Sequence, residues 1–119
     1  MDDNSLVEQL SAVYDGGNSF VFNGIEYELK YNLKTVEVIE EASGGVSVVS
    51  SIVFKKGMLS IQELTIWGGN ALYCDGVRLS PKKGIPLIKE WMQEVGYTTA
   101  VSLITVTLVR DCDCLFQGM

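Results

Sequence analysis

Residues 19–32 constrain this chain more than any other stretch. Phe20 and Phe22 alternate with smaller residues, Asn23-Gly24 follows, and Ile25, Tyr27, Leu29 and Tyr31 then alternate with Glu26, Glu28 and Lys30. Successive side chains on a strand point to opposite faces, so one face here is apolar and the other charged. Asn-Gly offers the two positive-φ positions of a type I′ turn, whose twist suits two antiparallel strands. The pattern predicts a β-hairpin. A lone hairpin is marginal in water, so its apolar face must be covered by helices or by another chain.

The rest of the chain reads mainly as helix. In residues 1–18, Leu6, Val7, Leu10 and Val13 form one helical stripe before Gly16-Gly17, which suggests an N-terminal arm or short helix. Asn32 can cap a helix with Leu33, Val36 and Ile39 inward and Glu37, Glu40 and Glu41 in solvent, stopped by Gly44-Gly45. In residues 46–54, Val46, Val49 and Val53 have helical spacing with Ile52 beside them, but the run is β-branched and a strand remains open. Lys55-Lys56-Gly57 resembles a helix C-terminus.

Ser60 with Glu63 forms a capping box, which predicts a helix through Ile61, Leu64, Trp67, Ala71 and Leu72, ended by Asp75-Gly76. Gly68-Gly69 weakens that helix unless another backbone passes close by. Ser80-Pro81 starts a further helix along Ile85, Ile88, Trp91, Met92 and Val95, with Pro86 inside it and Gly96 as its stop. Thr98 can cap a last helix through Val101, Ile104 and Leu108, reaching toward Leu115. The Thr and Val content of residues 105–109 leaves helix or strand open there. The expected fold is α+β and mainly helical, an N-terminal β-hairpin packed on three to five short helices. Residues 19–116 are read as a single domain.

Composition narrows function by exclusion. The 119 residues contain no histidine, which removes the commonest general base and metal ligand. Net charge is −6, and residues 1–45 hold nine of the 15 acids but two of the nine bases. An acidic face repels nucleic-acid backbones and anionic membrane surfaces, so neither is an expected partner. It can steer a basic partner or orient self-association into a homo-oligomer. The longest uncharged run, Val95 to Val109, falls short of the roughly 20 residues that span a bilayer. The N-terminus shows no basic n-region, so no signal peptide is expected.

No catalytic, cofactor-binding or metal-binding residues are assigned. The three cysteines, Cys74, Cys112 and Cys114, cannot all pair, and their spacing matches no zinc or redox motif. Free thiols suit a reducing cytoplasm. Asp111-Cys112-Asp113-Cys114 clusters acids with thiols, but the expectation there is a frayed polar terminus. Glu40-Glu41 reads as a solvated face. At 47 % hydrophobic, the chain has apolar residues to spare for a partner. The candidates for that contact are Tyr27, Leu29 and Tyr31 on the hairpin and Trp67 and Trp91 on helices. Both tryptophans fit a core role equally simply.

The order of elements resembles a known family. FVFNGIEYELKYNLKTVEVIEEA (20–42) resembles the opening of siphophage tail assembly chaperones. There an N-G hairpin with a Y-x-L-K-[YF] strand runs into a helix of the L-K-x-[VL]-x-x-[IL]-E-E type. LSIQELTIWGGNALY (59–73) resembles the family's next helix, and LSPKKGIPLIKEWMQEVGYTTAVSLITVTLV (79–109) its last two. The lead segment, Gly68-Gly69 and the valine-rich 46–54 stretch depart from that pattern.

The resemblance implies a chaperone that coats the tape-measure protein and recruits tail-tube subunits in the host cell cytoplasm, and that is absent from the mature virion. The family has no catalytic residues to carry over, so no enzyme is expected. The alternatives are a structural tail or prophage virion component and a small regulatory protein-interaction module.

Overall fold

The computed structural model describes residues 18–117. The stripe of Leu6, Val7, Leu10 and Val13 lies outside them. The described chain is α+β and mainly helical, as the pattern predicts. Strands β1 (Ser19–Phe22) and β2 (Ile25–Leu29) form the hairpin, with Asn23 and Gly24 both at positive φ.

Two further strands were not foreseen. The helix that begins after Ser60 stops at Gly69, and Leu72 lies on a strand. β3 (Leu72–Cys74) pairs with β2, and β4 (Val77–Arg78) pairs with β3, giving an antiparallel sheet in the order β1-β2-β3-β4. Asp75-Gly76 is therefore a hairpin turn rather than a helix end. Its φ angles of 51° and 78° nearly repeat the 53° and 77° of Asn23-Gly24.

Among the described residues, five helices accompany the sheet: α1 (Leu33–Ala42), α2 (Val48–Phe54), α3 (Ile61–Gly69), α4 (Pro81–Val95) and α5 (Tyr97–Asp111), followed by a 3-10 turn at Asp113–Leu115. Side-chain oxygens of Asn32, Ser47 and Ser60 cap α1, α2 and α3, because the first N–H groups of a helix have no partner within it. Residues 48–54 and 105–109 are both helical, which settles the two open segments.

Several details differ from expectation. On α1 the buried face is Thr35, Val36 and Ile39, and Leu33 is exposed. Val46 precedes α2 and is exposed, while Val48 and Ile52 fill the core. α5 starts at Tyr97, so Gly96, at φ 95°, both ends α4 and begins α5 in place of Thr98. Leu115 lies beyond α5, in the 3-10 turn.

The C-terminal stretch does not fray before Gln117. Cys112 and Phe116 are buried, and the Asp111 carboxylate accepts the Tyr31 main-chain N–H at 3.0 Å. Nor is Glu40 simply solvated, because its carboxylate accepts the Val48 N–H at 3.0 Å and ties α1 to the start of α2.

The core lies between the sheet and α3, α4 and α5. Phe20 stacks on Trp91 with ring centroids 4.1 Å apart, which brings the sheet's apolar face onto α4. α3 packs against α4, and both pack against α5. Gly68 and Gly69 make that approach possible, since a side chain at Gly69 would meet the backbone of Ile85. α5 is enclosed on every side from Ala100 to Val109, including Ser102, Thr105 and Thr107.

Candidate protein-binding surface

The five residues singled out from the sequence all lie inside. Tyr27, Leu29, Tyr31, Trp67 and Trp91 are each no more than 8 % exposed. The structure gathers Tyr27 and Trp91 around Phe20, and it joins Tyr31 to Trp67 through a hydrogen bond from Tyr31 Oη to the Trp67 carbonyl at 2.9 Å. Burial, with the charges of Asp111 and Cys112 adding to it, raises the Tyr31 phenol well above its ordinary pKa. These side chains hold the hairpin to the helices, and none of them faces outward.

The apolar surface lies instead between α2 and α3. Phe54 is 81 % exposed, Met58 72 % and Ile61 55 %. Large apolar side chains this open, clustered within eight residues of chain, are what a docking surface offers. Lys55 and Lys56 sit among them, so the tip is basic as well as apolar in a chain of net charge −6.

The tip is fixed in place by its buried neighbours. Leu59 is buried, and its carbonyl accepts a hydrogen bond from Tyr97 Oη at 2.6 Å. Gly57, at φ 76°, packs on Thr105 of α5, where a side chain would come within 3.3 Å of the threonine methyl. Its N–H bonds the Ser51 carbonyl. The Ser60 N–H donates to Glu63 and the Glu63 N–H to the Ser60 hydroxyl, completing the capping box.

Lys55 lies 3.5 Å from Glu63. Burial alone would raise the Glu63 carboxyl, but the Ser60 N–H and hydroxyl, and then the Lys55 charge, outweigh it and leave its pKa lowered. Burial, reinforced by the Glu63 charge, raises the Tyr97 phenol above its ordinary pKa.

Beside the tip runs a groove of about 250 Å³. Ala42, Val46 and Ile66 give it apolar walls, and Lys55 and Glu63 stand at its margin. The groove and the tip lie side by side, joining exposed apolar side chains to an apolar-walled cleft flanked by the Lys55–Glu63 pair. Among the described residues, no three His, Cys, Asp or Glu side chains are grouped to hold a metal ion. None of the described helices is long and apolar enough to cross a membrane.

Sequence periodicity could not find this surface, because Phe54 and Met58 belong to no predicted stripe and Ile61, expected on the inward stripe with Leu64 and Trp67, is exposed at the start of its helix. The available signal was their position around Lys55-Lys56-Gly57, where large apolar residues flank a helix stop instead of a polar loop. No family model, curated protein or solved structure matches the chain.

Proposed function

We propose that this chain is a protein-binding factor of the tail assembly chaperone type, which holds an apolar, helical tape-measure protein in solution while a phage tail is built. The single observation that carries the reading is the exposed apolar tip of Phe54, Met58 and Ile61 on an acidic chain. A chaperone of this kind must cover a partner's apolar surface and keep the complex hydrated. The tip and its groove supply the first property, and the acidic surface of Glu26, Glu37 and Glu41 supplies the second. The hairpin-then-helices order is what the resemblance to these chaperones rests on.

In this reading the chain catalyses no reaction and needs no cofactor. It works in the host cytoplasm, helps recruit tail-tube subunits and leaves the finished particle.

The test is co-expression with a long, helical phage tape-measure protein. The soluble fraction of that protein should rise with the wild-type chain and fall back with a Phe54→Ser, Met58→Ser double variant. Both positions are exposed, so the variant should keep the wild-type unfolding midpoint. Equal solubility of the long protein with and without this chain would end the proposal.

A further inference from the structure

A basic cleft wraps around β4 in a chain whose net charge is −6. Lys34, Val38, Tyr73 and Arg78 line a hollow of about 250 Å³. Cys74, Val77, Arg78, Leu79 and Lys83 line a second, of about 310 Å³. Tyr73 and Cys74 point to opposite faces of β3, so the hollows flank the short edge strand and Arg78 joins them. Lys30 adds a fourth cation, its Nζ 5.1 Å from the centre of the Tyr73 ring.

These cations are short of counter-charge. Among the described residues Lys34 and Lys83 form no ion pair. The Arg78 guanidinium donates to the Asn70 carbonyl, at 3.2 Å from Nε and 3.0 Å from Nη2, and to no carboxylate. Lys30 has Glu28 at 3.8 Å. Like charges gathered this way repel one another until an anionic group comes among them. Val77, 68 % exposed, makes the cleft apolar as well as basic.

We propose that residues 1–17 of this same chain dock in the cleft. They carry Asp2, Asp3, Glu8 and Asp15 and neither lysine nor arginine. Leu6, Val7, Leu10 and Val13 supply apolar side chains for Val77 and Leu79. The segment joins the sheet close to the cleft. Asn18 accepts the Leu29 N–H on its main-chain oxygen and donates its side-chain amide to the Leu29 carbonyl, both at 2.8 Å, one residue from Lys30.

An extended chain advances about 3.3 Å per residue, so Asp15 reaches about 10 Å from Asn18, toward Lys30 and Lys34. The sheet from β1 to β4 is about 14 Å wide, well within the reach of Glu8, Asp3 and Asp2 to Arg78 and Lys83. Tethering favours this segment over a free acidic peptide, because a short linker holds it at an effective concentration on the order of millimolar.

The basic tip is the less accessible site for the same segment. Tyr31 and Arg78 bond the carbonyls of Trp67 and Asn70, so Lys30 and the cleft sit at the C-terminal end of α3. The tip lies beyond its N-terminal end, nine residues or about 13 Å away. Lys55 there already holds Glu63 at 3.5 Å.

Carbodiimide cross-linking of the full chain tests this. The reagent joins a carboxylate to a lysine amine in contact with it, and mass spectrometry of a digest locates the link. Links from Asp2, Asp3 or Glu8 should go to Lys34 and Lys83 in preference to Lys55, Lys56 and Lys89. In a mixture of ordinary and heavy-isotope-labelled protein they should join residues of one chain. Arg78→Gln keeps both lysines available and should lower the yield severalfold. Salt at about 1 M, where charges are screened beyond about 3 Å, should do the same to the wild type.

Links that spread equally to Lys55 and Lys56 overturn the proposal. So do links that form only between chains, which would give the cleft to a second copy. A cleft that takes no link from the segment, or a yield indifferent to both Arg78→Gln and salt, overturns it as well. The cleft shares no residue with the tip, so this map and the solubility of the tape-measure protein succeed or fail separately.

Discussion

Gly84, in the first turn of α4, lies so close to the carbonyl oxygen of Gly69, at the end of α3, that no side-chain carbon fits between them. The relationship is reciprocal, since a side chain on Gly69 would meet the Ile85 main-chain nitrogen at 2.6 Å. Alanine in an open helix is about 1 kcal/mol better than glycine. Here the sign should reverse. Gly84→Ala is expected to destabilise the protein by about 2–3 kcal/mol, the usual cost of overpacking, as read by urea denaturation. A stabilised variant would mean that the two helices do not touch at this point.

Acid should weaken the capping box of α3. The Glu63 pKa is lowered in the folded chain, so the unfolded chain takes up the proton first as pH falls. The stabilisation is present above about pH 4.3, the ordinary glutamate value, and is lost as pH drops through the lower folded value. Glu63→Gln should be less stable than wild type by about 0.5 kcal/mol at pH 7, the typical worth of a carboxylate at a helix N-terminus. The difference should close as pH falls through the lowered Glu63 value, where both side chains become neutral. Unfolding midpoints of the two proteins across this range check it.

Alkali should act through Cys112. Burial, with Asp111, Cys114 and Asp113 adding negative charge, pushes its thiol from 9.0 up to about 11. The folded chain thus keeps a proton that the unfolded chain releases, and stability falls as pH rises from 9 to about 11. Cys112→Ala should flatten the slope of unfolding free energy against pH in that window. Thiol labelling offers a second readout. Exposed Cys114 should react first, and Cys112 should react only as the protein opens.

Two threonines on α5 make a matched pair. The Thr105 hydroxyl donates to the Val101 carbonyl at 2.7 Å, whereas Thr107 Oγ1 is buried with no hydrogen-bond partner among the described residues. An unsatisfied buried hydroxyl costs about 1–3 kcal/mol. Thr107→Val should therefore raise stability by about 1 kcal/mol, and Thr105→Val should lower it by up to about 1 kcal/mol as a satisfied bond is lost. Paired thermal and chemical denaturation of the two variants decides whether the signs differ.

What could be read beforehand depended on how local the cause was. The first hairpin was legible because Asn23-Gly24 and the alternation on either side agree. Asp75-Gly76 has the same turn chemistry, but Leu72–Cys74 and Val77–Arg78 are too short to show alternation. Ser60 with Glu63, and Ser80 with Pro81, marked their helix starts correctly, although Ser80 makes no side-chain capping bond. The binding surface was not legible in this way. Phe54 and Met58 are as apolar as any core residue, and their exposure is set by distant partners such as Tyr97, which holds Leu59 beneath the tip. For the same reason the five candidates from the hairpin and helix stripes went to the core, which periodicity marks better than it marks an interface.

The all-round enclosure of α5 has a consequence for synthesis. Ribosomes deliver the chain from its N-terminus, so the helix at the centre emerges after the strands and helices that surround it. Until residues 97–111 are out, Leu29, Trp67 and Trp91 have no finished interior to close on. Folding of this unit therefore waits on the last helix, and for that interval the nascent chain itself needs shelter from aggregation.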